Sequence, residues 1–283
     1  MEHTRRELQQ LALKIRYATV DAIARKGGGH IGGSLDLAEL LAVLYGEVMN
    51  VRPKEPEWNG RDYLVCSKGH AGPAVYAALS FRGFFPYAGL LTLNRGGTKF
   101  PGHCDRNKVP GVDATTGSLG QGLSIACGIA LGSKLSGTQQ RTFCILGDGE
   151  LAEGQNWEAA QFAAHYQLGS LTAFLDWNKK QIDGTNDEVM KLGDVAAKFT
   201  AFGWHTATVH GDNIQEIYCA IEEAAQYSNQ PCMIILDTVK GGNLSCISSL
   251  ANNHCIGLPP QLEEKAKAEL FAQAKSLGME EIV

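Results

Sequence analysis

Apolar positions at helical spacing open the chain. Leu8, Leu11, Ile15 and Ala18 recur every three to four residues and predict a helix from about Arg6 to Arg25. A glycine-rich stretch, 27–33, breaks that period, and Ser34 then suits the N-cap of a second helix over 35–49. Acidic, proline-containing sequence to about Asn59 reads as a surface loop. Beyond it the pattern alternates: strands over 62–67, 141–147, 170–177, 204–209 and 233–239, helices over 73–82, within 117–135, and over 153–166, 192–202 and 214–228. The stretch 83–116 is loop-rich, and a last helix begins near Gln261. The strands are short, continuous apolar runs, the mark of strands covered by helices on both faces. The pattern predicts an α/β fold, a doubly wound, mostly parallel sheet, as a single domain over 1–283 without internal repeat or linker.

With 44% hydrophobic residues, the chain has enough apolar side chains for one large core. A net charge of −5 leaves no basic footprint for nucleic acid. An anionic ligand would have to be held locally, by a metal ion or by backbone N–H groups. The opening MEHTRRELQQ lacks the apolar core of a secretory signal, and no apolar run approaches the ~20 residues that cross a bilayer. None of the eight cysteines shows Cys-x-x-Cys spacing, and most lie in apolar stretches, which points to free, reduced thiols in a cytoplasmic protein.

In open α/β sheets ligands bind beyond the carboxyl ends of the strands. Three such ends carry useful chemistry: Ser67-Lys68-Gly69-His70, Gly147-Asp148-Gly149 and Asp176-Trp177-Asn178. Between Gly149 and Asn178 lie 28 residues, room for one helix and one strand, so these two ends fall on neighbouring parallel strands. Asp148 offers a carboxylate oxygen and Asn178 an amide oxygen. Mg²⁺ takes about six oxygens and favours one or two carboxylates together with substrate phosphates. A bare Gly-Asp-Gly can equally be a turn.

GDGELAEG, 28 residues, then DWNKKQIDG resembles the thiamine diphosphate signature in its transketolase form. GGGHIGGSLD (27–36), SKGHAGPAVYA (67–77), PGHCD (101–105), TTGSLGQGLSIACG (115–128), FGWH (202–205) and DTVKG (237–241) also resemble, in order, the diphosphate-binding domain of that family. The resemblance implies thiamine diphosphate and Mg²⁺ as cofactors, with Ca²⁺ or Mn²⁺ able to substitute. The ion would be held by Asp148, Asn178 and the backbone carbonyl of Lys180. Gly149 and His70 would contact the diphosphate, and Gly117, Ser118 and Leu119 the aminopyrimidine side.

The cofactor acts as an electron sink while a ketose carbon–carbon bond breaks. That chemistry needs a base for the donor's hydroxyl proton, hydrogen-bond donors for oxygen charge, and protonation of the aldehyde acceptor. Histidine suits all three. Glycine precedes His30, His70 and His103, and similarity assigns His30 and His254 to proton transfer and substrate oxygens, with His254 also beside the cofactor, and His103 to the donor's terminal hydroxyl. His3, His165, His205 and His210 carry no such context. Glu150 and Glu153 read either as acids in a first helical turn or, by resemblance, as groups near the subunit interface.

Departures from the family are instructive. The pyrimidine-binding and C-terminal domains would follow Val283, so they are expected on a partner chain of roughly 300 residues, with two copies of each chain in the assembly. Around His254 the family's Trp and Gly are replaced by Asn253 and Cys255, and a Glu by Ser248. Cys104 and Ser118 replace prolines. The expected substrates are sugar phosphates, with pentose phosphates as the default and sulfonated or branched ketoses as the variants suggested by the altered loop. The alternatives are another split thiamine diphosphate enzyme, such as a 2-oxo acid dehydrogenase α subunit, which lacks the His30, His70 and His103 set, and a non-catalytic cofactor-binding scaffold.

Overall fold

A computed structural model describes residues 3–283; the first two residues of the expected single domain lie outside the described residues. The first helix, α1 (Arg5–Lys26), is fixed at both ends. Thr4 and Glu7 form a reciprocal capping box, and Gly27 closes the helix at φ 92°. The expected second helix does not run unbroken. Residues 32–35 make one turn, α2 spans Ala38–Val43, and Leu44–Val48 widen into a π-turn. Ser34 is not an N-cap: it lies inside the short turn, and its hydroxyl donates to the His30 carbonyl at 2.6 Å. Asp36 turns inward instead, accepting from Gly241 N–H at 2.7 Å.

Five strands follow: β1 (Tyr63–Cys66), β2 (Thr142–Gly147), β3 (Leu171–Trp177), β4 (His205–His210) and β5 (Cys232–Asp237). They form one parallel sheet in the order β1-β2-β3-β5-β4. The helices between them are α3 (Gly72–Arg82), α4 (Gln121–Leu135), α5 (Gly154–His165), α6 (Val195–Ala201) and α7 (Ile214–Ala224), with α8 (Pro260–Ser276) last. Strand alternation divides the core. Phe143, Ile145, Phe174, Ile234 and Leu236 face the layer holding α1, α2, α3, α7 and α8. Cys144, Leu146, Ala173, Leu175, Met233 and Ile235 face α4, α5 and α6. The doubly wound expectation holds, and all five strands of this sheet are parallel.

Two details place the site. Strand β5 stops at Asp237, two residues short of the predicted end, and just beyond it the Thr238 hydroxyl donates to Asp176 Oδ1 at 2.5 Å. A two-residue antiparallel ladder pairs Gly28 with Gly257 and Gly29 with Ile256, carrying the His30 turn to the His254 loop. All eight cysteines are free and five are buried. No described helix is long and apolar enough to cross a membrane.

Candidate functional site

The register of the sheet sets the site. Gly147 pairs with Asp176 and Trp177 with Asp237, so Asp148, Asn178 and Thr238 leave adjacent parallel strands together. Asp148 is buried. Its Oδ1 accepts from Gly149 N–H at 2.8 Å, and its Oδ2 accepts from Lys179 N–H at 2.5 Å and from the Asn186 amide at 2.9 Å. The bond to Lys179 seats the Asp148 carboxylate against the loop that follows Asn178. Burial, with the nearby Asp176 charge, raises the Asp148 pKa, so this carboxylate is ready to be matched by a cation.

The Asn178 side chain is oriented by its own donors. Its Nδ2 donates to Asp176 Oδ2 at 2.9 Å and to Asp36 Oδ2 at 3.1 Å, which leaves Oδ1 on the loop side, accepting from Lys180 N–H at 3.0 Å. Beneath it lies a buried charge cluster. Lys68 Nζ pairs with Asp176 Oδ2 at 2.5 Å, both side chains being almost wholly buried. Burial opposes charge on both groups, but their mutual attraction outweighs it, raising the Lys68 pKa and lowering that of Asp176. Asp36 is left with burial and the Asp176 charge against it, and its pKa rises well above the usual carboxylate range.

A cavity of about 310 Å³ opens at these strand ends. It is lined by Asp148, Gly149, Asn178 and Lys180, by His30, His70, His103 and His254, and by Gly117 and Leu119. Every candidate residue drawn from the sequence meets here except Ser118, which is exposed beside the cavity and not part of its lining. The four histidines form one group. The His30 ring centroid lies 5.3 Å from His70, 5.4 Å from His103 and 5.3 Å from His254, and His70 and His254 are 4.9 Å apart. Gly117, at φ 148°, allows the backbone to pass His103, whose Cδ2 would stand 3.0 Å from any Cβ placed there. Burial, followed by the charge of Lys68, lowers the His70 pKa to about 2, and burial with Lys240 lowers that of His254 to about 3. Burial and His103 lower that of His30. These three rings are therefore neutral at pH 7.

Among the other lining residues, Lys240, Lys68 and Gln181 were not singled out from the sequence as site residues. Lys240, just past the end of β5, reaches the Lys180 carbonyl with its ammonium at 2.9 Å. Lys68 and Gln181 also line the wall. Both lysines lie two or three residues beyond a parallel strand and inside motifs quoted above, SKGHAGPAVYA and DTVKG, but no role was attached to them there. Gln181 Nε2 and His254 Nδ1 are buried without a protein partner, as polar atoms that serve a ligand would be. Glu150 does sit in a first turn, that of the short 3₁₀ helix Gly149–Ala152. It is buried, accepting from the Ser67 hydroxyl, Gly120 N–H at 2.8 Å and Gly147 N–H at 3.1 Å. Glu153 lies at the N-terminal end of α5 and is exposed.

The donor set bears on a metal. Among the described residues no group of three or more His, Cys, Asp or Glu side chains could hold an ion, so an all-side-chain cage is not on offer. The expected ion site offers one carboxylate, Asp148, one amide oxygen, Asn178 Oδ1, and one carbonyl, Lys180, and a cation, the Lys240 ammonium, already sits on that carbonyl. This set fits a hard cation completing its shell from phosphate oxygens and water.

Residues 8–274 match the family model for the thiamine diphosphate binding domain of transketolase. The chain belongs to the transketolase family. This transketolase chain is 46% identical to a 6-deoxy-6-sulfo-D-fructose transketolase subunit of Clostridium sp. (strain MSTE9), an alignment covering 93% of the chain and 96% of that relative. It is 35% identical to one of the apulose-4-phosphate transketolase subunits of Phocaeicola vulgatus, covering 90% of each. Its fold matches the crystal structure of transketolase from Campylobacter jejuni with a TM-score of 0.88 and 28% identity, covering 98% of the chain but only 43% of that protein. The chain thus spans nearly the whole of the relatives named as subunits and under half of the long transketolase.

Proposed function

We propose that this transketolase chain works with a separate subunit bearing the pyrimidine-binding domain, two copies of each, to transfer a two-carbon ketol unit from a ketose to an aldose. The observation that carries this reading is the single cavity in which Asp148, Asn178 and Lys180 stand opposite four histidines. Asp148, Asn178 and the Lys180 carbonyl would hold Mg²⁺. When bound, thiamine diphosphate supplies the electron sink for breaking the ketose carbon–carbon bond. Gly149 and His70 would hold its diphosphate, and Gly117, Ser118 and Leu119 would border its aminopyrimidine.

His30 and His254, held neutral by their surroundings, each keep a ring lone pair able to accept the donor's hydroxyl proton and then return it to the acceptor. With an anionic diphosphate bound nearby, both rings would shift back toward protonation, closer to the pKa that proton transfer favours. His103, exposed and lining the cavity, would hydrogen-bond the donor's terminal hydroxyl. Ile182, 62% exposed on the cavity wall, is an apolar side chain that a covering partner would bury.

The donor is a ketose with an anionic group at its far end. The similarity to a sulfofructose transketolase subunit makes 6-deoxy-6-sulfo-D-fructose the first to test, ahead of pentose phosphates. The experiment mixes the purified chain with its partner, thiamine diphosphate and Mg²⁺, and screens both donors, with and without His254→Ala. Transfer by the pair alone, lost in the variant, supports the reading. Full turnover by this chain without a partner would overturn the split, and cofactor binding without transfer from any ketose would leave a scaffold.

A further inference from the structure

The stretch 241–257 holds the replacements around His254 noted in the sequence, and within it Asn253 is buried, at 2% exposure. Nδ2 of Asn253 donates to the Lys240 carbonyl at 2.8 Å and to the Ile247 carbonyl at 3.3 Å, so both amide hydrogens are used. Its main-chain carbonyl accepts from Gly32 N–H at 3.0 Å. That last contact is close: a Cβ at Gly32 would fall 2.3 Å from the Asn253 oxygen. One residue therefore joins three pieces of chain: the turn after β5 that carries Lys240, the short helix Ser245–Ser248, and the turn just past His30.

The pieces it joins are functional ones. Lys240 sends its ammonium to the Lys180 carbonyl, and His254 is the next residue along the chain from Asn253. The His254 ring stands against His30 and His70, with a buried, unpartnered Nδ1. Nearby bonds hold one piece or the other. The Asn252 side chain accepts from His254 N–H at 3.1 Å, and the two-residue ladder secures Ile256–Gly257. Gly241 N–H on Asp36 steadies the Lys240 turn from the opposite side. The Asn253 amide is the bond that ties the Lys240 turn to the His254 loop. A residue with no donors at 253 would take from the buried Lys240 carbonyl its amide partner, while the Ile247 carbonyl keeps Leu250 N–H at 3.1 Å, and would release the wall of the cavity formed by Lys240 and His254.

We infer that Asn253 is a positioning residue: it sets where Lys240 and His254 meet the cofactor and the donor sugar, without touching either. This rests on the thiamine diphosphate reading for what occupies the cavity. The lysine, the histidine and the His30 turn then move as one unit, and Asn253 is the joint among them.

The test uses the reconstituted pair of subunits, comparing wild type with Asn253→Ala and with Asn253→Ser, which keeps one hydroxyl donor. Two readouts are taken: Mg²⁺-dependent binding of thiamine diphosphate by calorimetry, and kcat and KM for the donor. Positioning predicts about a tenfold weaker cofactor affinity and about a tenfold lower kcat in Asn253→Ala at saturating cofactor, with partial recovery in Asn253→Ser and little change in the oligomer. A purely structural role would lower the melting temperature and leave the kcat of the folded enzyme unchanged. Unaltered affinity and kcat in a folded variant, or equal loss in the alanine and serine forms, overturns the inference. If the wild-type pair binds cofactor but transfers nothing, the function reading fails, while the calorimetric comparison still decides the role of Asn253.

Discussion

Replacing Lys68 with methionine tests the electrostatic base of the site. The side chain is 1% exposed, and its ammonium is the cation beside Asp176 and Asp36, which are 0% and 4% exposed. Without it Asp176 keeps only neutral donors, the Thr238 hydroxyl and the Asn178 amide. Breaking a buried pair in this way costs about 3–5 kcal/mol. An upper bound follows from chemistry, because the stranded carboxylate can take up a proton. From an ordinary carboxylate pKa near 3.9, that costs about 4 kcal/mol at pH 7 and about 1.5 kcal/mol at pH 5. In the wild type the folded pKa of Asp176 is depressed, so its contribution is present above the unfolded pKa and lost only in strong acid. In the variant the folded pKa is raised, so the deficit grows as pH rises from about 4. Urea unfolding of Lys68→Met at both pH values should show a deficit of about 4 kcal/mol shrinking to about 1.5, and Lys68→Met combined with Asp176→Asn should regain most of it. A deficit independent of pH, or a double variant no better than the single one, would refute the reasoning.

Three other outcomes follow from the same geometry. His70 has its folded pKa lowered to about 2, so the unfolded chain binds the extra proton below pH 6.5 and stability falls on acidification; His70→Gln should remove about 1 kcal/mol of the loss between pH 6.5 and 5.5, read from urea midpoints. Gly122→Ala would place a Cβ 2.4 Å from the Ser67 Cβ and 2.6 Å from its Cα, pushing α4 off β1 and costing about 1–3 kcal/mol in the same assay. Asp148→Asn removes the one carboxylate of the expected ion site, and calorimetry should show Mg²⁺-dependent cofactor affinity falling on the order of a hundredfold, with the unfolding transition retained.

How much of this could be read from the sequence depends on the range of the interactions. Strands β2 and β3 announced themselves as apolar runs ending in Gly-Asp-Gly and Asp-Trp-Asn, and the parallel pairing set their ends level, as the spacing required. His30, His70 and His103 were marked by the glycines before them, and His254 only by its place in the family pattern. The ladder of Gly28–Gly29 with Ile256–Gly257 was hidden, since two glycines opposite Ile-Gly carry no period-two pattern. The second helix was drawn too long because its hydrophobic period continues through Leu44–Val48, whereas the backbone there opens into a π-turn where Gly46 lies close against Leu8. The Lys68, Asp176 and Asp36 cluster was invisible for a different reason. Charged residues are mostly exposed, and only the assembled sheet shows that these three are buried together.

On this reading, side chains at two adjacent strand ends and one loop carbonyl would hold the ion that anchors the cofactor. Crystallography of the two-subunit assembly with thiamine diphosphate and Mn²⁺, using the anomalous signal of the metal, tests it directly. One peak is expected about 2.1–2.2 Å from an Asp148 oxygen, Asn178 Oδ1 and the Lys180 carbonyl, with the Lys240 ammonium moved off that carbonyl. A peak elsewhere, or bound cofactor with Lys240 still seated on Lys180, would contradict it.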